Sequence, residues 1–203
     1  MIKMHNLKFY TFITLFLSSC SIQKEQSFLS TKCLKDVTGT KTSILKNIKT
    51  GNTKSPFALI FLAAECPISQ KYASILRGVQ NQFPQVKFLA IFTKWDKKET
   101  IEEYLKNYPL IISANNPNRF IVLKDKNNNL VKKIGAQTTP EAFLFDENGV
   151  LMYRGAIDNW FYALGQYRPE ATEHYLTDAL QLFLNNEPIK IKQTNAIGCI
   201  IEK

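Results

Sequence analysis

Histidine is nearly absent from this chain: there are two in 203 residues, His5 and His174, at opposite ends of the sequence. Zinc and most transition-metal centres are built from imidazoles or clustered thiolates, so no metal is expected, and nothing in the sequence calls for another cofactor. Also missing is an apolar run long enough to cross a bilayer, which takes about 20 residues; the stretch from Phe9 to Leu17 is too short. No internal repeat, low-complexity tract, RNP-like motif or Cys/His finger spacing is present. The charge balance is nevertheless basic, 26 Lys+Arg against 17 Asp+Glu. Its lysines are scattered, for example at Lys87, Lys97, Lys106, Lys124 and Lys132, which reads as a solvated surface able to lie near anionic lipid. No nucleic-acid partner is expected.

What is present begins with an N-terminal leader. Lys3, His5 and Lys8 precede the apolar stretch Phe9 to Leu17, the pattern of a secretory signal. The following Leu17-Ser18-Ser19-Cys20 resembles the lipobox of bacterial lipoproteins, in which the cysteine is lipidated after cleavage; the alternative is an ordinary signal with an incidental cysteine. The expected organisation is a signal peptide at 1–19, a lipidated N-terminus and polar tether at 20–31, and one domain with its tail at 32–203, large enough for a real core. That organisation implies a bacterial cell envelope location, lipid-anchored and facing the periplasm or the exterior. With Cys20 set aside, Cys33, Cys66 and Cys199 remain. An odd count in an exported protein leaves at least one thiol free or available for exchange.

The most informative segment runs from Phe57 to Ser69. An apolar strand, Lys54 to Leu62, delivers Cys66 to the start of a helix reaching about Phe83, with Pro67 in the first turn where proline is tolerated. Unpaired amides and the macrodipole at a helix N-terminus favour a thiolate, so Cys66 is the first candidate nucleophile; an adjacent Glu65 would oppose that effect if close. Val86 to Phe92 reads as a second strand, and strand–helix–strand over so short a distance argues a parallel crossover. Lys97 to Asn107 reads as an amphipathic helix, Leu110 to Ile112 as a short strand, and 116–134 as two short helices about a turn. Ala142–Phe145 and Val150–Tyr153 flank an Asn148-Gly149 turn and form a hairpin. An aromatic-rich loop follows from Asp158 to Pro169, then a helix from Thr172 to Asn185 and a tail containing Gly198-Cys199-Ile200.

The order of elements and three motifs resemble the thioredoxin-like superfamily, in its exported redoxin branch of AhpC/TSA-type and thiol-disulfide oxidoreductase domains. The motifs are Cys66-Pro67-Ile68-Ser69 after the first central strand, Thr138-Thr139-Pro140-Glu141-Ala142-Phe143 as a cis-proline segment, and the hairpin ending in Tyr153-Arg154-Gly155. The resemblance covers roughly 32–185. It implies an α/β fold, a three-layer sandwich with a central mixed sheet and helices on both faces. The implied activity is thiol-disulfide exchange outside the cytoplasm, with a disulfide- or thiol-containing protein or a small thiol as partner. Pro67, Thr139 and Pro140 would bind substrate: a cis bend at Pro140 would leave the backbone of Thr139 open to an extended segment added as a strand. The alternative is an ordinary trans proline before a strand.

Two departures qualify this expectation. The second thiol of the family's Cys-x-x-Cys is replaced by Ser69, which can hydrogen-bond to a Cys66 thiolate but cannot resolve a mixed disulfide. The site is therefore expected to hold a single nucleophile, with resolution by an external thiol or by Cys199 on a flexible tail. Equally open is a structural disulfide between Cys33 and Cys199, or two inert thiols. Peroxiredoxins, which share this fold, carry a proline and a hydroxyl residue where this chain has Leu59 and Ala63, so peroxidase activity is not expected. A fold that kept its shape as a binding or scaffold module is the competing class. Asp158 reads as a turn residue, the alternative being a loop carboxylate lining the site, and Trp95 and Trp160 as residues packed under loops, the alternative being part of a substrate surface.

Overall fold

The computed structural model describes residues 55–108, 110 and 120–202, together with the backbone of two outlying strands. Those strands, β1 (Cys33–Asp36) and β2 (Lys41–Ser43), join β3 (Phe57–Leu62), β4 (Lys87–Phe92), β5 (Ile121–Lys124), β7 (Glu141–Phe145) and β8 (Leu151–Gly155) in one sheet ordered β2-β1-β5-β4-β3-β7-β8. A separate short strand, β6 (Thr138–Thr139), lies outside it.

The sheet is built around β3. All six of its residues are buried, as an apolar run of this length requires when both faces are covered. It pairs parallel with β4, Phe57 opposite Lys87 through Leu62 opposite Phe92, and antiparallel with β7. The β3–β4 link is the helix α1 (Pro67–Gln82), so the expected crossover is present. Strand periodicity then sorts the core into two halves. Ala58, Ile60 and Leu62 face α1, α2 (Lys98–Asn107) and α4 (Tyr175–Leu184), through Tyr72, Leu76, Tyr104, Leu176 and Leu180 among others. Phe57, Leu59 and Phe61 face α3 (Asn129–Ile134), through Leu130 and Val131. This is the three-layer α/β arrangement that the resemblance implies.

Two expectations need correction, and a third falls mostly outside the described residues. The apolar residues after Phe120 form not a helix but strand β5, which pairs parallel with β4 from Leu89–Ile121 onward; a short apolar run has no period that separates strand from buried helix. The Asp158–Pro169 loop contains a small hairpin, β9 (Phe161–Ala163) with β10 (Gln166–Tyr167), where the rings of Trp160, Phe161 and Tyr167 meet one another edge-on or tilted and those of Trp160 and Phe161 meet Tyr72 in the same way. Leu110 is buried but lies in no strand, and 111–112 fall outside the described residues. The hairpin of β7 and β8 stands as expected, with Asp146 accepting hydrogen bonds from the amides of Asn148 and Val150 across the Gly149 turn.

The start of α3 bears on the site, because its N-cap, Asn128, reaches the C-terminal tail. Asn128 is left-handed (φ 50°), and Asp125, also buried, accepts hydrogen bonds from the amides of Asn129, Leu130 and Val131. One carboxylate thus satisfies three amides that the helix itself leaves unpaired. Asp125→Ala is expected to lower the unfolding free energy by about 1–3 kcal/mol, measured by urea denaturation; no change would mean that water replaces the carboxylate without cost.

Candidate functional site

Cys66 is the N-cap of α1, with extended backbone (φ −80°, ψ 116°) and Pro67 next to it inside the helix. Its amide donates to the Ala63 carbonyl at 3.1 Å, and its own carbonyl accepts from the amide of Gln70 at 3.0 Å. A tight turn at the end of β3 therefore places the sulfur at the helix mouth. Facing it is the Thr139–Pro140 bond, which is cis; the Cys66 sulfur lies 3.3 Å from the Thr139 carbonyl oxygen. Glu141, 4 % exposed, stabilises this bend by accepting hydrogen bonds from the amides of Gln137 and Thr138 and pairing with Arg154 at 3.1 Å.

The remaining partner is the tail. It runs beside β8, where Arg154 donates to the Lys192 carbonyl and accepts from the Thr194 amide, and the Thr194 hydroxyl accepts from the amide of Ala156. It then crosses Pro140 and forms strand β11 (Cys199–Ile200), antiparallel to β6 with Cys199 opposite Thr139 and Ile200 opposite Thr138. Beyond the strand, the Ile201 amide donates to the Gln137 carbonyl and its side chain enters the β3–α3 half of the core. The Glu202 carbonyl accepts from Asn128 Nδ2 at 2.8 Å and from the Trp95 indole at 3.2 Å. Cys199, held from both sides, is joined to Cys66 by a disulfide with Cα atoms 6.1 Å apart, within the ordinary span of such a bond.

No family model matches the chain, and no curated protein does either. Solved structures do. An uncharacterized conserved protein of Geobacillus kaustophilus is 22% identical with a TM-score of 0.65, covering 84% of this chain and 87% of its own. A hypothetical protein of Sinorhizobium meliloti is 21% identical with a TM-score of 0.64, covering 84% and 89%. A secreted Mycobacterium tuberculosis disulfide oxidoreductase, described as homologous to E. coli DsbE, is 15% identical with a TM-score of 0.52, covering 78% and 97%. The fold is thioredoxin-like. At these identities the likeness establishes architecture, and the chemistry rests on the site itself.

Within that thioredoxin-like frame, most residues singled out in the sequence converge. Cys66, Thr139, Pro140 and Cys199 meet at one point, and Pro67 is exposed beside them. Ser69 is fully buried under the turn, its hydroxyl oxygen accepting from the Ala63 amide at 3.3 Å. Three expectations change. The tail is a docked strand instead of a flexible arm. The Thr139 backbone, expected to be open, is paired with Cys199 because the chain supplies its own strand to the edge. And Cys199 bonds to Cys66, so a Cys33–Cys199 disulfide does not form and the site has two sulfurs, not one. Cys33 lies in β1, and Cys20 lies outside the described residues. Among the described residues no group of His, Cys, Asp or Glu is arranged to hold a metal.

Gly198 explains how the tail comes so close. A Cβ there would lie 2.1 Å from the Thr139 carbonyl oxygen and 3.2 Å from the Pro140 nitrogen, both backbone atoms that cannot yield. Gly198→Ala is expected to reduce the equilibrium constant for forming the Cys66–Cys199 disulfide tenfold or more, about 1.4 kcal/mol or 30 mV, read by alkylation and mass in glutathione buffers. Gly78→Ala, on α1 with open space around it, serves as the control and should leave that constant unchanged.

Two further carboxylates support the site, one under-read in the sequence and one missed. Asp158 is more than a turn residue: it accepts from the Trp160 amide at 2.8 Å and from the buried Tyr72 hydroxyl, behind Pro140. Burial first, and then that bond to Asp158, hold the Tyr72 phenol well above its ordinary range. Asp96, 7 % exposed, accepts from the Ala64 amide at 2.7 Å and from the Thr93 amide and hydroxyl at 2.9 and 3.0 Å, tying the turn before Cys66 to the end of β4. Nothing in the local sequence separates it from a surface aspartate.

Burial holds the Asp96 carboxyl above its ordinary value of 3.8, against the opposing pull of those donors and of Lys124. The folded state then binds the proton more tightly than the unfolded state. Stability from this group is fully present below pH 3.8 and is lost as pH rises through the folded value. In paired denaturation curves, the unfolding free energy of the wild type minus that of Asp96→Asn should therefore fall as pH rises from below 3.8. A difference that rises with pH would reverse the assignment.

Proposed function

We propose that this protein carries out thiol-disulfide exchange outside the cytoplasm, with Cys66 and Cys199 as the reversible redox pair. The observation that carries the reading is the disulfide between them beside a cis Thr139–Pro140 bond. Ser69 cannot serve as the second thiol, and Cys199 supplies the sulfur that the Cys-Pro-Ile-Ser segment lacks. Disulfide- or thiol-containing proteins or small thiols are the partners; Pro67 is the exposed rim beside the disulfide, and the Thr139–Pro140 backbone would receive a partner only where the tail leaves that edge. The secreted oxidoreductase with the same fold is consistent with an exported setting. In the same reading, 1–19 is a cleaved signal, Cys20 carries a lipid anchor in the cell envelope, and 32–203 is the working domain.

A second reading has its own support. Cys66 is only 3 % exposed and lies under the tail, as a structural disulfide in a non-catalytic scaffold would. Redox titration separates the two. Exchange proteins reduce between roughly −120 and −270 mV, whereas structural disulfides lie below about −300 mV. The expected midpoint falls in the first range, and both Cys66→Ser and Cys199→Ser abolish turnover of a disulfide substrate while Ser69→Ala retains it. A midpoint below about −300 mV, or full turnover in either cysteine variant, would remove the enzymatic reading.

A further inference from the structure

Within the exchange reading, on which this step rests, one sulfur must be the first to meet a partner. The sequence points to Cys66, the residue at the helix start. The geometry points to the other: we propose that an incoming thiolate attacks Cys199, that the mixed disulfide forms on the tail, and that Cys66 is the leaving and resolving sulfur.

Access is the first ground. Cys66 is 3 % exposed, enclosed by the turn from Ala63, by Thr139 and by the tail. Cys199 is only partly buried, and a groove of about 270 Å³ opens onto it. Glu65, Trp95, Asp96 and Ile200 line that groove together with Cys199, and Cys66 does not. Trp95 is 59 % and Ile200 80 % exposed, so the mouth is open to solvent.

The second ground is where charge goes. Attack on a disulfide forms one S–S bond and breaks another, and the better leaving group departs as thiolate. Here RS⁻ bonds to the Cys199 sulfur, the Cys66–Cys199 bond breaks, and the electron pair leaves on Cys66. That charge appears at the N-terminus of the 16-residue helix α1, which favours an anion. On taking a proton from water, the Cys66 thiol has the Thr139 carbonyl at 3.3 Å as acceptor. Attack on Cys66 would instead release the charge on Cys199, which belongs to strand β11 and whose sulfur stands one S–S bond further from that helix end than the sulfur of Cys66, the N-cap itself. A second thiolate, R′S⁻, then attacks the partner sulfur of the mixed disulfide. RSSR′ leaves, Cys199 becomes a thiolate, and two external thiols have been oxidised as the protein disulfide is reduced. In the opposite direction Cys199 takes up the substrate disulfide and Cys66 resolves it.

This assignment also makes the docked tail part of the reaction. Breaking the Cys66–Cys199 bond removes the covalent tie between β11 and the helix mouth, and the strand carrying the partner is the one that occupies the Thr139 edge.

The test uses the oxidised full-length protein, pulsed with glutathione, quenched in acid, alkylated with N-ethylmaleimide and mapped by peptide mass spectrometry over a time series. At the earliest times glutathione should be found on Cys199 and maleimide on Cys66, by tenfold or more over the reverse. Glutathione predominantly on Cys66 would overturn the assignment while leaving exchange intact. A disulfide that stays closed at every glutathione concentration would sink the exchange reading, and this one with it. As a second measurement, a disulfide-bonded substrate should trap as a stable adduct on the Cys66→Ser variant and fail to trap on Cys199→Ser; the opposite pattern also overturns the proposal.

Discussion

The short antiparallel pairing of Thr138–Thr139 with Cys199–Ile200 is the contact on which the arrangement of the site depends. A cis bond at Pro140 turns the chain out of β7, and the backbone groups before it need partners that the main sheet cannot give. Glu141 accepts from two of the amides, and the tail takes up the rest of the edge. From that pairing follow the position of Cys199 against Cys66, the burial of Cys66, and the need for glycine at 198. Without the pairing the two sulfurs, 133 residues apart in sequence, would depend on the flanking anchors of the tail at Thr194, Ile201 and Glu202.

Much of this was legible in the chain, for identifiable reasons. The apolar run Phe57–Leu62, the proline after Cys66 and the Asn148-Gly149 turn are local signals whose physics does not depend on distant residues, and each gave the element it implied. Cys66 and the cis-proline segment were likewise readable. What the sequence did not reveal was long-range. β5 looked like a helix because a four-residue apolar strand has no period of its own, and only its neighbours β4 and β1 decide it. The tail looked loose because Ile201 and Glu202 acquire meaning only when a core and Asn128 stand opposite them. Asp96 was invisible for a related reason: its bonds to the amide and hydroxyl of Thr93 are those of any turn aspartate, and the bond that makes it a support of the site comes from the distant Ala64 amide.

Closing so long a loop changes the energetics of the whole domain. The chain-entropy estimate for a separation of 133 residues gives about 5 kcal/mol, comparable with the entire stability of many domains. Oxidation state and global stability are thereby coupled: the oxidised protein is the sturdier form, and the reduced one relies on the non-covalent anchors of the tail. Those anchors are distributed, from the Thr194 hydroxyl beside β8 to Ile201 in the core.

The anchoring of Glu202 by Asn128 and Trp95 fixes where any further chain must emerge. Its carbonyl is held at the rim of the groove that opens onto Cys199, so a purification tag or fluorescent fusion added beyond it would begin beside the mouth of the site instead of at a remote surface. In this fold the convenient end for labelling is also the doorway.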